Sequence, residues 1–227
     1  QMHATFSPDG SKIGYVRDNN LFYKDLATGK EYQITTDGAK NQIINGSSDW
    51  VYEEEFKLVR AFEWSPDSKH IAFYRFDESQ VKNFEFPVYG TLYPQQYKFK
   101  YPKAGEKNSE VTLHMYNVST NQARPVTFDA KMQDMEYIPR IKWTKDPNKL
   151  SIQFMNRQQN LLLLALFDVQ SQQIETILAE SSDTWIDIHD DLTFLDDGKH
   201  FIWTSERTGI NQIYLYTLGE STARDGG

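Results

Sequence analysis

Apolar and polar residues alternate in short runs along most of this chain, and the runs are bounded by turn residues, which is the signature of β-strands. Pro8-Asp9-Gly10 turns the chain into a strand on which Ile13 and Tyr15 share a face. Asp18-Asn19-Asn20 leads into Leu21 to Leu26, and Thr28-Gly29 turns it again into Glu31 to Thr35. These runs predict a three-stranded meander.

The same grammar recurs. Trp64-Ser65-Pro66-Asp67-Ser68 precedes Ile71 to Tyr74, with Ser68 in the glycine position. Trp143 to Phe154 is a looser copy, and Phe194 to Trp203, with Asp196-Asp197-Gly198, a closer one. The anchors Phe6, Trp64, Trp143 and Phe194 lie roughly fifty to eighty residues apart, near the length of a four-stranded propeller blade with one long insertion. The expected fold is therefore an all-β β-propeller of about four four-stranded antiparallel blades, near 5–48, 56–128, 136–180 and 190–218. Four blades are fewer than most rings need, and the strand pattern begins almost at once, so we expect a fragment of a longer protein. Leu161 to Val169 is expected to be a fully buried strand, and the unpatterned tail from Gly219 a frayed end.

Two stretches break the pattern. The first, Asp49 to Phe56, sets Glu53, Glu54 and Glu55 in a row between aromatic residues. On a strand, adjacent side chains point to opposite faces, whereas on a helical turn they diverge by about 100° and can converge on one ligand. A short helix over 49–56 is the better host, with Asp49 as N-cap. Converging carboxylates make a receptor for an ammonium group, and the competing explanation is that they only solvate the helix and satisfy its dipole.

The second is the insertion between Asp77 and Val111. It carries Phe84, Phe86, Tyr89, Tyr93, Tyr97, Phe99 and Tyr101, with Pro87, Pro94 and Pro102. So many rings suit either an arm over about 84–105 that buries them against another surface or a long hairpin folded back on its own blade.

Composition narrows the function classes. Of 227 residues, 32 are acidic and 24 basic, and the resulting charge of −8 opposes binding to nucleic acid. There is no cysteine, hence no disulfide and no thiolate metal site, and the longest apolar run, Leu161 to Phe167, is too short for a membrane span. Gly46-Ser47-Ser48 lacks the second glycine of a nucleophile elbow, and no metal-like histidine pair occurs, so neither a catalytic residue nor a metal or other cofactor is expected in this chain. His189-Asp190-Asp191 reads as a polar turn, and Glu206 and Arg207 as an ion pair in another.

Asp49-Trp50-Val51-Tyr52-Glu53-Glu54-Glu55 closely resembles the Glu-Glu motif of the dipeptidyl peptidase IV family of prolyl-oligopeptidase-like serine peptidases. Trp64-Ser65-Pro66, Tyr101-Pro102-Lys103-Ala104-Gly105 and Trp203-Thr204-Ser205-Glu206-Arg207 look like further counterparts, from about Phe6 to Leu218. The resemblance implies an eight-bladed propeller capping an α/β-hydrolase domain that holds the catalytic triad and lies outside this chain. It implies that Glu54 and Glu55 bind the free N-terminal amine of a peptide, supported by Asp49, Trp50, Tyr52 and a structural Glu53. Xaa-Pro or Xaa-Ala dipeptides would then be released by the hydrolase domain. It further implies a homodimer through the arm and hydrolase domain, and a periplasmic, cell-envelope or secreted location. The competing reading is a non-enzymatic envelope or periplasmic propeller whose acidic patch recruits a basic protein partner.

Overall fold

The computed structural model describes residues 1–128, 132 and 134–219, so the tail beyond Gly219 lies outside the described residues. The chain divides into two compact units, Gln1–Phe62 with His70–Pro125, and Glu63–Lys69 with Val126–Gly227.

The first unit opens with an antiparallel sheet of β1 (Met2–Phe6), β2 (Lys12–Arg17), β3 (Asn20–Asp25) and β4 (Glu31–Gln33), in sequence order. The turn before β2 closes through Gly10 N donating to Ser7 O at 2.8 Å, with Gly10 at φ +70. Asp9 locks that turn by accepting from Ser7 Oγ at 2.6 Å and Ser11 N at 2.9 Å, which holds its carboxyl well below the usual range. The expected three-stranded meander thus gains a fourth strand, β1. Its register slips between Met2 and Thr5, and His3 sits at φ +59, so no clean alternation announces it.

A second sheet has the order β11-β10-β7-β5, built from β5 (Ile43–Asn45), β7 (His70–Asp77), β10 (Glu110–Asn117) and β11 (Gln122–Pro125). Between β5 and β7 the chain forms α1 (Trp50–Phe56) and β6 (Phe62–Trp64). Ser68 adopts φ +61, the left-handed backbone that Gly10 and Gly198 take in the matching turns. The core of this unit is aromatic: Tyr52, Phe62, Phe73, Tyr74 and Phe76 are fully buried with Leu21, Ile71 and Leu113. Removing side chains of this size from water is the main favourable term in such a fold.

The insertion is a two-stranded hairpin of β8 (Asn83–Val88) and β9 (Gln95–Lys100). Phe84 faces Phe99 and Phe86 faces Tyr97 across the register, with ring centroids 5.9 and 5.5 Å apart. These cross-strand pairs let the rings pack on one another, while Glu85 and Lys98 form an ion pair at 2.8 Å. Phe84, Phe86 and Tyr97 remain partly exposed, and Tyr89, Leu92 and Tyr93 stand out at the tip.

The second unit holds an antiparallel sheet of β12 (Tyr137–Trp143), β13 (Lys149–Met155), β14 (Leu161–Asp168) and β15 (Ile174–Ser181). It also holds a sheet of β16 (Thr193–Phe194), β17 (His200–Ser205) and β18 (Gln212–Thr217), three-stranded among the described residues where four strands were expected. The leucine run on β14 is buried from Leu164 to Phe167 and at Leu162 but only half-buried at Leu161 and Leu163, so the expectation of full burial fails at the start of the strand. The protein is nearly all-β, with antiparallel meander sheets of the propeller-blade type. Among the described residues no helix is long and apolar enough to cross a membrane.

Candidate functional site

The three glutamates sit on α1, a helix of about two turns whose two faces differ sharply. Val51, Tyr52 and Phe56 are buried, while Glu53, Glu54 and Glu55 are exposed. The buried face is held by rings: Tyr52 meets Phe56 and Phe76 edge-on at 5.2 and 4.9 Å. With those three side chains turned into the core, the three carboxylates between Tyr52 and Phe56 are left facing solvent.

Both ends of α1 are capped. Asp49, in extended backbone, accepts from Tyr52 N through Oδ1 at 2.9 Å, and its Oδ2 accepts from Ser109 Oγ at 2.6 Å. At the other end Lys57 takes φ +54, Leu58 N donates to Tyr52 O at 3.0 Å, and Lys57 Nζ donates to Glu54 O at 2.7 Å. Trp50 leaves the helix toward the hairpin root and packs on Tyr101 with centroids 4.1 Å apart.

Electrostatics around the cap are unusual. Burial pushes the Asp49 carboxyl up, opposed by its bonds from Ser109 and Tyr52. Glu78 lies close by and is itself buried, and burial together with the Asp49 charge pushes it up to about 7, against the pull of Lys100. On the other flank, His3 bonds Ser47 Oγ at 3.0 Å, and its pKa is lowered by burial and by Arg60 but raised by Glu53.

The remaining sequence candidates are structural. Asp190 accepts from Arg140 Nε at 2.5 Å, and that guanidinium holds its carboxyl below the usual range. Asp191 accepts from Thr204 Oγ1 at 3.1 Å. Arg207 does not form the expected pair with Glu206. It lies over the Tyr214 ring at 3.9 Å and donates to Tyr216 Oη at 2.8 Å, because β18 brings two tyrosines beside it. Among the described residues no group of three or more His, Cys, Asp or Glu is placed to hold a metal ion.

Residues 1–225 match the family model described as the dipeptidyl peptidase IV (DPP IV) N-terminal region. The chain belongs to this family. A probable dipeptidyl-aminopeptidase B of Phaeosphaeria nodorum is 32% identical over 211 residues, covering 85% of this chain and 23% of that protein. The inactive dipeptidyl peptidase 10 of Mus musculus is 30% identical over 207 residues, covering 89% of this chain and 26% of that protein. In structure, the chain superposes on Porphyromonas gingivalis dipeptidyl peptidase 4 with a TM-score of 0.88 and 42% identity, over 95% of this chain and 31% of that one. It therefore spans about a quarter to a third of the DPP IV relatives it matches.

Ser109, Tyr101 and Glu78 are the DPP IV-region residues that sequence reasoning did not connect to the glutamates. The only signal was Tyr101 in its Tyr-Pro-Lys-Ala-Gly run, which carries no hint of a partner on α1.

Proposed function

We propose that this chain is the part of a dipeptidyl peptidase that recognises the free N-terminal amine of peptide substrates, through Glu54 and Glu55. The observation that carries the reading is the pair of adjacent, exposed carboxylates on a helix capped at both ends, in a chain of the DPP IV N-terminal family. An ammonium offers three donors, and two carboxylates from one rigid turn can each accept at least one of them. Anchoring the amine at a fixed point sets how far into the substrate the scissile bond falls, so a dipeptide is released, after Pro or Ala. Glu53, in the first turn, favours the helix dipole and supports the turn. The nucleophile, base and oxyanion donors come from an α/β-hydrolase domain beyond this chain.

The test uses the full-length protein and a pair of Xaa-Pro substrates, one with a free amine and one N-acetylated. Hydrolysis confined to the free-amine substrate is expected, since acetylation removes the charge and two of the three donors. Equal rates on both would reject an amine-reading site.

A second reading has one observation in its favour: a relative of comparable identity is named an inactive dipeptidyl peptidase. On this reading the acidic face recruits a basic protein partner without hydrolysis. Full-length protein that cleaves neither substrate yet retains a basic partner would support it.

The hairpin is the proposed dimer contact of the whole protein, given Tyr89, Leu92 and Tyr93 at 78, 90 and 78% exposure on its tip. Deleting Phe84 to Tyr101 should shift the light-scattering mass of the full-length protein from dimer to monomer. An unchanged mass would remove the hairpin from the interface.

A further inference from the structure

The hairpin and the glutamate helix meet at one place. Tyr101, just past β9, packs on Trp50 of α1, and Ser109, just before β10, donates to the capping carboxylate of Asp49. Both contacts come from the segment that leads from β9 back to β10. That segment is tied to the chain entering the hairpin: Tyr101 N donates to Lys82 O at 3.0 Å, and Lys82 pairs with Glu106 at 2.8 Å. Lys100 Nζ, at the end of β9, donates to the carbonyls of Ser79 and Val81 at 3.2 and 2.7 Å.

We propose that Tyr101 and Ser109 are positioning residues for the amine-binding pair: the segment that leads from β9 back to β10 sets the orientation of α1. The inference rests on the amine-recognition reading for its functional consequence, but the hold on the helix is a separate fact with a separate readout. Anything that moves the hairpin then moves Glu54 and Glu55.

The experiment compares Tyr101→Ala, Tyr101→Phe and Ser109→Ala in the full-length protein. Hydrogen exchange over residues 50–56 reads the hold directly, because local opening rates follow the contacts that restrain a segment. Tyr101→Ala and Ser109→Ala should speed exchange there by about tenfold, and Tyr101→Phe, which keeps the ring, should not. The same two variants should raise KM for a free-amine substrate several-fold at nearly unchanged kcat, the split expected when binding rather than chemistry is disturbed.

Wild-type exchange in both Tyr101→Ala and Ser109→Ala would overturn the proposal, as would faster exchange with unchanged KM in a protein whose Glu54→Gln variant does lose affinity. If Tyr101→Ala fails to fold, Ser109→Ala decides. Should Glu54→Gln leave KM untouched, the amine reading fails instead, whatever exchange shows.

Discussion

Replacing Glu54 or Glu55 by glutamine in the full-length protein is expected to lower kcat/KM on free-amine Xaa-Pro substrates by about a hundredfold or more. Glutamine keeps the shape and one carbonyl acceptor but loses the charge, so an ammonium bound there would face a neutral partner. The effect should fall chiefly on KM, because the amine is held equally in ground and transition states. Aspartate at either position retracts the carboxylate by one methylene and should be intermediate. Unchanged kinetics in both glutamine variants would end the amine reading. Steady-state assays with paired circular dichroism, to show that α1 persists, decide the matter.

The second large effect concerns stability. Glu78 ionises near its ordinary 4.5 in the unfolded chain but only at about 7 in the fold, chiefly because it is buried and then because Asp49 faces it. The folded state therefore holds a proton that the unfolded state has already released. Its contribution to stability is fully present below pH 4.5 and is lost as pH rises through 7. Glu78→Gln, which has no proton to lose, should match the parent near pH 4 and become more stable than it above pH 7, by about 2–3 kcal/mol. Urea unfolding at pH 4, 6 and 8 would read this directly. A constant difference across that range would mean that Glu78 titrates normally.

What could be read from the sequence was what is local. Pro8-Asp9-Gly10 and its copies announce their turns because Asp9 and Gly10 act within a few residues, and even Ser68 was placed in a glycine position that proves to be left-handed. Strand membership that depends on distant partners was less legible. β5 joins the second sheet only because it pairs with β7, and β1 was hidden by its bulge. The glutamate run was visible as charge, and its resemblance suggested a role, but its supports were not. Ser109 reaches Asp49 across 60 residues of chain, and nothing in its flanking residues marks it. Arg207 was assigned to its neighbour Glu206 because sequence proximity was the only guide, whereas strand pairing supplies the tyrosine rings that it actually meets.

The hairpin interrupts the second sheet in an informative way. β7 and β10 pair without a slip from His70 with Asn117 to Asp77 with Glu110. The excursion therefore leaves and returns at a single closed rung of the ladder. Its length places no constraint on the register of the strands on either side, so this point in the chain can tolerate grafts. A linker, a fluorescent module or an affinity handle could replace the tip between Val88 and Gln95 while the ladder below stays in register.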